Sequence, residues 1–252
     1  MTHEVGATGK EELLGLHDIP AYILAGGLGS RMDPLTHDLI PKSLVEIEQG
    51  KVLLDYIFDI VGTTGIKEVI ACVSHQSDKI IEYYGSRDNK LNINFSVEEA
   101  PRGIIRSFER GINNFIPTGD FVLLHGDEII TNFSLVEMYN FHRSHRGIAT
   151  GLLSRNPQAR RTVIMKLENN CMVSNSLRDS VSDHPDYLSS LGLFIFRPEI
   201  INEVGRFATW EEMVKTLAKE GKLYGFASNA FLFNINTPDD IEEFLKFKEH
   251  NK

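Results

Sequence analysis

Residues Ile23 to Leu44 read ILAGGLGSRMDPLTHDLIPKSL. The stretch opens as the end of a buried strand, Ala21 to Leu24, and runs into a glycine-rich loop, Ala25-Gly26-Gly27-Leu28-Gly29-Ser30-Arg31. Gly26, Gly27 and Gly29 let the backbone take positive φ and approach a ligand, so that successive N–H groups can point at phosphate oxygens. Arg31 adds a forked donor able to hold two oxygens at once. Lys42 adds a compact charge, and Pro41 stiffens its approach. Together these features suit a nucleoside triphosphate.

Two better-known glycine loops do not fit. A dinucleotide-binding fingerprint, GxGxxG, would start at Gly27 and place its third glycine where this chain has Met32. A Walker loop needs a lysine directly after its glycines, and none follows here. A plain surface turn would also cluster glycines, but the apolar strand before the loop and the two spaced cations after it favour the phosphate reading.

The longer run LAGGLGSRMDPLTHDLIPKSLVEI resembles the signature of the sugar-phosphate nucleotidylyltransferases, the pyrophosphorylases that make nucleotide sugars, written LAGGxGTRLxPLTxxxPKxLxPI. Ser30 keeps the hydroxyl of the usual threonine, and Met32 keeps an apolar side chain. The LYGF and TPDD segments are similar to the heptose-1-phosphate and mannose-1-phosphate guanylyltransferase branches. The resemblance implies an α/β fold, with a doubly wound, Rossmann-like, mostly parallel sheet of the nucleotide-diphospho-sugar transferase type and a β-rich acceptor-binding portion. It also implies Mg²⁺ as cofactor, with an NTP and a sugar 1-phosphate as substrates, and places Leu24 and Ala25 beside the loop glycines and Ser30 in the nucleotide site.

Composition bounds the alternatives. The chain has 252 residues, 42% of them hydrophobic, and a formal charge of −9. A net acidic chain without a long Lys/Arg run is a poor partner for nucleic acid or an anionic membrane. No apolar run approaches ~18 residues, and the N-terminus lacks the apolar core of a signal peptide, so a soluble, cytoplasmic protein is expected. Cys72 and Cys171 read as reduced thiols rather than a disulfide framework. No heptad or repeat speaks to oligomeric state, and a homo-oligomer stays open.

Residues 1–19 read as a short helix or a tail, and 20–252 as one domain with a nucleotide-binding half (20–147) and an acceptor-binding half (148–252). Strands and helices alternate in the first half. Leu53 to Val61 has helical spacing, Glu68 to Val73 is a buried strand, Ser77 caps a helix to Tyr84, Ile93 to Val97 alternates, Ile104 to Phe115 is amphipathic and Phe121 to Leu124 is a core strand. Ser134 caps a helix to Arg146, on which His142 and His145 are expected at the surface, since no further zinc ligands are spaced to join them. From Ala149 short strand candidates follow one another, then a helix from Trp210, which is read as a core or interface residue. Thr237 begins a last helix, with Pro238 at its first position.

The segment VEEAPRGIIRSFERG is similar to the family's base-reading loop, [QE]xxPLGTAGA, with Pro101 and Gly103 matched and Glu98 where many members carry glutamine. A carboxylate only accepts hydrogen bonds, which suits guanine or cytosine better than uracil or thymine. A solvated surface acid is the other reading of Glu98. Ile104, Ile105, Arg106 and Ser107 depart from the family's small TAGA run, so the pocket rim should differ in shape.

A buried strand ending in Gly126-Asp127 puts a carboxylate at the carboxyl edge of the sheet, where open α/β folds bind ligands. The resemblance implies that Asp127 holds Mg²⁺, with Asn234, or less favourably Asn236, as a neutral second ligand in the position of the family's DIGTPED aspartate. His125 is read as a packed histidine. By the same resemblance Arg178, where the family's acidic and basic pair is reversed, and Gly192 contact the acceptor. Arg31, Lys42 and Asp127 are the expected catalytic residues: the acceptor phosphate attacks the α-phosphorus in line, and catalysis is mainly positioning and charge neutralisation. A cytidylyltransferase for phosphocholine or a similar phospho-alcohol, and a non-catalytic nucleotide-sugar-binding regulator, are the alternatives.

Overall fold

The computed structural model describes residues 16–156, 164–176 and 187–251. Its first half comprises β1 (Ala21–Leu24), α1 (Asp33–Thr36), the hairpin β2 (Glu46–Glu48) and β3 (Lys51–Val52), and α2 (Leu53–Gly62). Then come β4 (Glu68–Val73), α3 (Ser77–Gly85), β5 (Asn92–Val97), α4 (Ile104–Asn114), β6 (Phe121–His125), β7 (Glu128–Thr131) and α5 (Leu135–Ser144). The second half adds β8 (Ala149–Ser154), β9 (Ile164–Glu168), β10 (Cys171–Ser176), β11 (Tyr187–Phe196), α6 (Ile201–Val204), α7 (Trp210–Lys219), β12 (Leu223–Ser228), β13 (Phe231–Asn234) and α8 (Pro238–His250).

A nine-stranded sheet of order β5-β4-β1-β6-β11-β8-β12-β10-β9 runs through both halves. β5, β4, β1 and β6 are mutually parallel. The long β11 runs against β6 and against β8, β12 returns parallel to β8, and β10 opposes both β12 and β9. Only β10 and β11 therefore point against the common direction, which makes the sheet mostly parallel. The chain steps outward from β1 to β4 and β5 and then crosses back to place β6 on the other side of β1, so a switch-point crevice opens at the carboxyl ends of β1 and β6, the place where such sheets bind ligands.

Successive residues of a strand face opposite sides, and both sides are covered. Ile23, Val69, Ala71, Val122 and Leu124 join the core under α2, α3, α5 and α8, whereas Tyr22, Ile70, Cys72, Phe121 and Leu123 join the core under α4, α6 and α7. Buried on both faces, these strands read as continuous apolar runs. Trp210 belongs to the second core, edge-on to Phe194 at 5.1 Å between ring centres.

Ser134 caps α5 as expected, its hydroxyl accepting from Glu137 N at 3.2 Å. Thr237 and Asp240 form a capping box on α8. Ser77 does not cap α3: it is the first helical residue, and Gln76 before it takes φ +52°. His142 and His145 are not surface residues either. His142 is fully buried, with Nδ1 2.7 Å from Thr150 Oγ1, and His145 places Nε2 2.8 Å from the same hydroxyl. β8 supplies that threonine, and Arg197 donates to the carbonyl oxygens of both histidines.

Burial, reinforced by Arg197, pushes His142 down to about 3 and His145 to about 4. Below pH about 6.5 the unfolded chain binds protons at these rings that the folded chain refuses, so stability present at neutral pH is lost as the pH falls toward those values. As the pH falls from about 6 to 4, the unfolding free energy should drop by roughly 1 kcal/mol per pH unit through His142. Urea titrations at pH 7 and pH 5 check this. An unchanged free energy would show that water or Asp120, whose carboxylate is 3.9 Å from His142 Nε2, accommodates the charged ring.

Candidate active site

The loop after β1 is fastened on both sides. Ala25 N donates to Cys72 O at 2.8 Å, Gly126 N donates to Leu24 O at 2.9 Å, and the hydroxyls of Ser43 and Ser74 donate to the carbonyls of Ala25 and Gly26. Gly29 takes φ +67°, and a Cβ there would fall 2.6 Å from Cβ of Lys42. The glycine is thus required by its own backbone and by the lysine stem behind it. Pro41 is extended, and the following short turn, Lys42 to Leu44, brings the ammonium back beneath the loop.

Lys42 Nζ reaches Asp127 Oδ2 at 2.8 Å and Asn236 Oδ1 at 2.9 Å, and Arg31 Nη2 reaches the same Asn236 oxygen at 2.9 Å. This cluster lies where two cavities adjoin. One, of about 400 Å³, is lined by Leu24, Ala25, Gly27, Gly29, Ser30, Arg31, Lys42, Pro101 and Asp127, among others. The other, of about 260 Å³, shares Arg31, Ile104, His125, Asp127 and Asn236 with it and adds Glu128, Gly192, Trp210, Glu211 and Asn234. Arg31 thus stands between a loop-lined chamber, which Lys42 also lines, and a second chamber built from β7, β11, α7 and β13.

A two-stranded ribbon closes the far side. β13 pairs antiparallel with β7, which sets Asn234 directly opposite Glu128, and Ile235 N donates to Asp127 O at 2.9 Å. Glu128 is buried, accepting from Gly192 N at 2.7 Å and lying 3.2 Å from His125 Nδ1. A Cβ on Gly192 would lie 2.4 Å from that imidazole nitrogen, so only glycine lets β11 pass. Burial opposes a charged His125, but the hydrogen bond and charge of Glu128, with Asp127 and Glu211 beyond, outweigh it and hold the ring above the ordinary histidine value.

His125, Asp127 and Glu128 bring potential ligand atoms within 4.8 Å of one another. His125 Nδ1 and both oxygens of Glu128 are already engaged, and only Asp127 keeps an oxygen, Oδ1, with no hydrogen bond from a described residue. Asp127 and Asn234 both line the second cavity; the Asn234 amide oxygen accepts from Asn236 Nδ2 and keeps a second lone pair, so a carboxylate and an amide form a donor set that fits a hard dication.

Gly26 sits behind the first chamber with its carbonyl tied to Ser74, and Gly103, at φ +91°, precedes the first residue of α4. Glu98 is not a solvated acid: it is 3% exposed, its Oε1 has no hydrogen-bond partner among the described residues, and it lines neither cavity. Arg178 lies outside the described residues. His125 is packed against Trp210, at 5.5 Å between ring centres, and also forms cleft wall. Glu128 and Glu211 are site residues that the sequence pattern did not single out. The adjacent acids of HGDEI were the available signal for Glu128.

The nucleotidyl transferase family profile matches residues 20–215. A D-glycero-alpha-D-manno-heptose 1-phosphate guanylyltransferase of Aneurinibacillus thermoaerophilus is 27% identical over 232 residues, covering 91% of this chain and 98% of that protein. The mannose-1-phosphate guanylyltransferase catalytic subunit beta of Xenopus tropicalis is 26% identical over 88% of this chain, which spans 62% of that longer protein. Among solved structures, a putative glucose-1-phosphate thymidylyltransferase from Bacillus anthracis, in complex with a sucrose, superposes with TM-score 0.77 at 15% identity, covering 91% of this chain and 94% of that one. HddC from Yersinia pseudotuberculosis, complexed with GMP-PN, superposes with TM-score 0.70 at 21% identity, covering 91% and 99%. A family match over most of the chain, on a sheet whose switch point carries the glycine loop, shows that this protein belongs to the nucleotidyl transferase family.

Proposed function

We propose that the protein transfers a nucleotidyl group from an NTP, with GTP favoured, to a sugar 1-phosphate, giving a nucleotide sugar and pyrophosphate. The observation that carries this reading is the cluster of Arg31, Lys42, Asp127 and Asn236 at the junction of two adjoining cavities, one lined by the glycine loop. Two phosphorylated substrates placed in such chambers would present their phosphates to the same cations. The guanine preference rests on the guanylyltransferase relatives and on the GMP-PN of the Yersinia structure rather than on Glu98.

In the proposed reaction an oxygen of the acceptor phosphate attacks the α-phosphorus. The bond from that phosphorus to the bridging oxygen breaks, and pyrophosphate leaves with the electron pair. The attacking oxygen is already ionised near neutral pH, so no side chain has to remove a proton. Loop amides and Arg31 hold the departing phosphates, and Lys42 offsets negative charge near the reacting centre. Asp127 and Asn234 would hold a Mg²⁺ ion, which when bound would supply further charge neutralisation.

The test is pyrophosphate release with Mg²⁺, pairing GTP, CTP, UTP, dTTP and ATP with a panel of sugar 1-phosphates and phosphocholine. Release that needs both GTP and one sugar 1-phosphate is the expected result. Release with UTP or dTTP alone would overturn the base assignment, and release only with phosphocholine would overturn the acceptor class.

A further inference from the structure

Asn236 lies just before α8 and is pinned from behind, since its own N–H and that of Thr237 both donate to Asp240 Oδ2, at 3.0 and 2.8 Å. From that anchored backbone its side chain works in two directions. The amide oxygen accepts from Arg31 and from Lys42, each at 2.9 Å, while the amide nitrogen donates to Asn234 Oδ1. The orientation is forced: turning the amide over would set its NH₂ against a guanidinium and an ammonium, neither of which can accept a hydrogen bond.

We propose that Asn236 is a positioning residue of the phosphate site, gathering Arg31 and Lys42 into one clamp through its oxygen and fixing the orientation of the Asn234 amide through its nitrogen. The proposal rests on reading this cleft as a nucleotide site. Two like charges held at one neutral oxygen repel each other, and anionic phosphate oxygens arriving between them relieve that repulsion. The clamp is therefore arranged for the bound state.

Residue chemistry separates this role from simple packing. Aspartate at 236 would still accept from both cations, but it would have no donor for Asn234 and would turn a full negative charge toward incoming phosphates. Alanine would take the shared acceptor away from both cations, leaving Lys42 on Asp127 and Arg31 turned toward solvent, without opposing the ligand. A clamp thus predicts phosphate affinity in the order Asn, Ala, Asp. A residue that merely holds the cleft together predicts that the near-isosteric Asp outperforms Ala.

Calorimetric titration of the full chain with inorganic tripolyphosphate reads this without knowing the base or the acceptor. Asn236→Ala should weaken binding about 10- to 100-fold, the loss expected for charge-assisted hydrogen bonds that no longer orient the cations, and Asn236→Asp should weaken it further. The thermal midpoint of Asn236→Asp should stay at or above that of Asn236→Ala, so that weaker binding is not read from a less folded protein. Wild-type binding with unchanged affinity in Asn236→Ala, or with Asn236→Asp binding better than Asn236→Ala, overturns the clamp and leaves the nucleotide reading standing. Failure of the wild type to bind tripolyphosphate overturns both.

Discussion

Replacing Lys42 by alanine should lower kcat for nucleotidyl transfer by roughly 10²- to 10³-fold while leaving the protein folded. The ammonium lines the loop chamber, 2.8 Å from Asp127 and 2.9 Å from Asn236, which line both chambers, so its charge is placed near where substrate phosphates would meet. Its loss leaves the Asp127 carboxylate without its cation, but that side chain is 37% exposed and water can solvate it. The ion pair itself should therefore count for little, but the Lys42 side chain is only 10% exposed, and loss of its packed stem should bring the stability cost to about 1–2 kcal/mol. Steady-state kinetics and a thermal melt on the same preparation check both halves. A variant with kcat within threefold of the wild type would remove Lys42 from the chemistry.

Asp127→Ala should act through the metal instead, with transfer falling by roughly 10²- to 10³-fold and the Mg²⁺ concentration needed for half-maximal rate rising. Asp127 is the only charged member of the proposed oxygen pair, because Asn234 contributes a neutral amide. Removing it takes away the charge that attracts the ion, and it also leaves Lys42 tied to Asn236 alone among the described side chains. Electron paramagnetic resonance of added Mn²⁺ reports binding independently of turnover. Equal Mn²⁺ affinity in the wild type and the variant would assign the dication to other residues.

The parallel half was legible because β1, β4 and β6 are buried on both faces, which writes them as unbroken apolar runs, and because the loop after β1 carries its own chemistry. Ser134 and Thr237 were legible as caps because an oxygen at that position bonds only the next turn. What escaped is tertiary. β7 is four residues beside a turn, and its partner β13 lies about a hundred residues further on. His142 sits at the polar end of a helix, and only the approach of Thr150 and Arg197 buries it. Asn234 ends β13 and Asn236 follows two residues later, so spacing could not show which of them reaches Arg31 and Lys42. The capping box of α8 settles that by pinning the backbone of Asn236.

The β7 and β13 ribbon has a consequence for how function is lost. Asn236 meets Lys42 across 194 positions of sequence and Arg31 across 205, and it is held there by a two-stranded ribbon and the first turn of α8 rather than by the nine-stranded sheet. Segments fastened by few bonds open more easily than a central sheet. Local opening of that turn would release Asn236 from both cations while β1, β4 and β6 stay paired. Loss of the assembled site on heating should therefore precede or coincide with loss of the fold, set by the β7 and β13 ribbon and the first turn of α8.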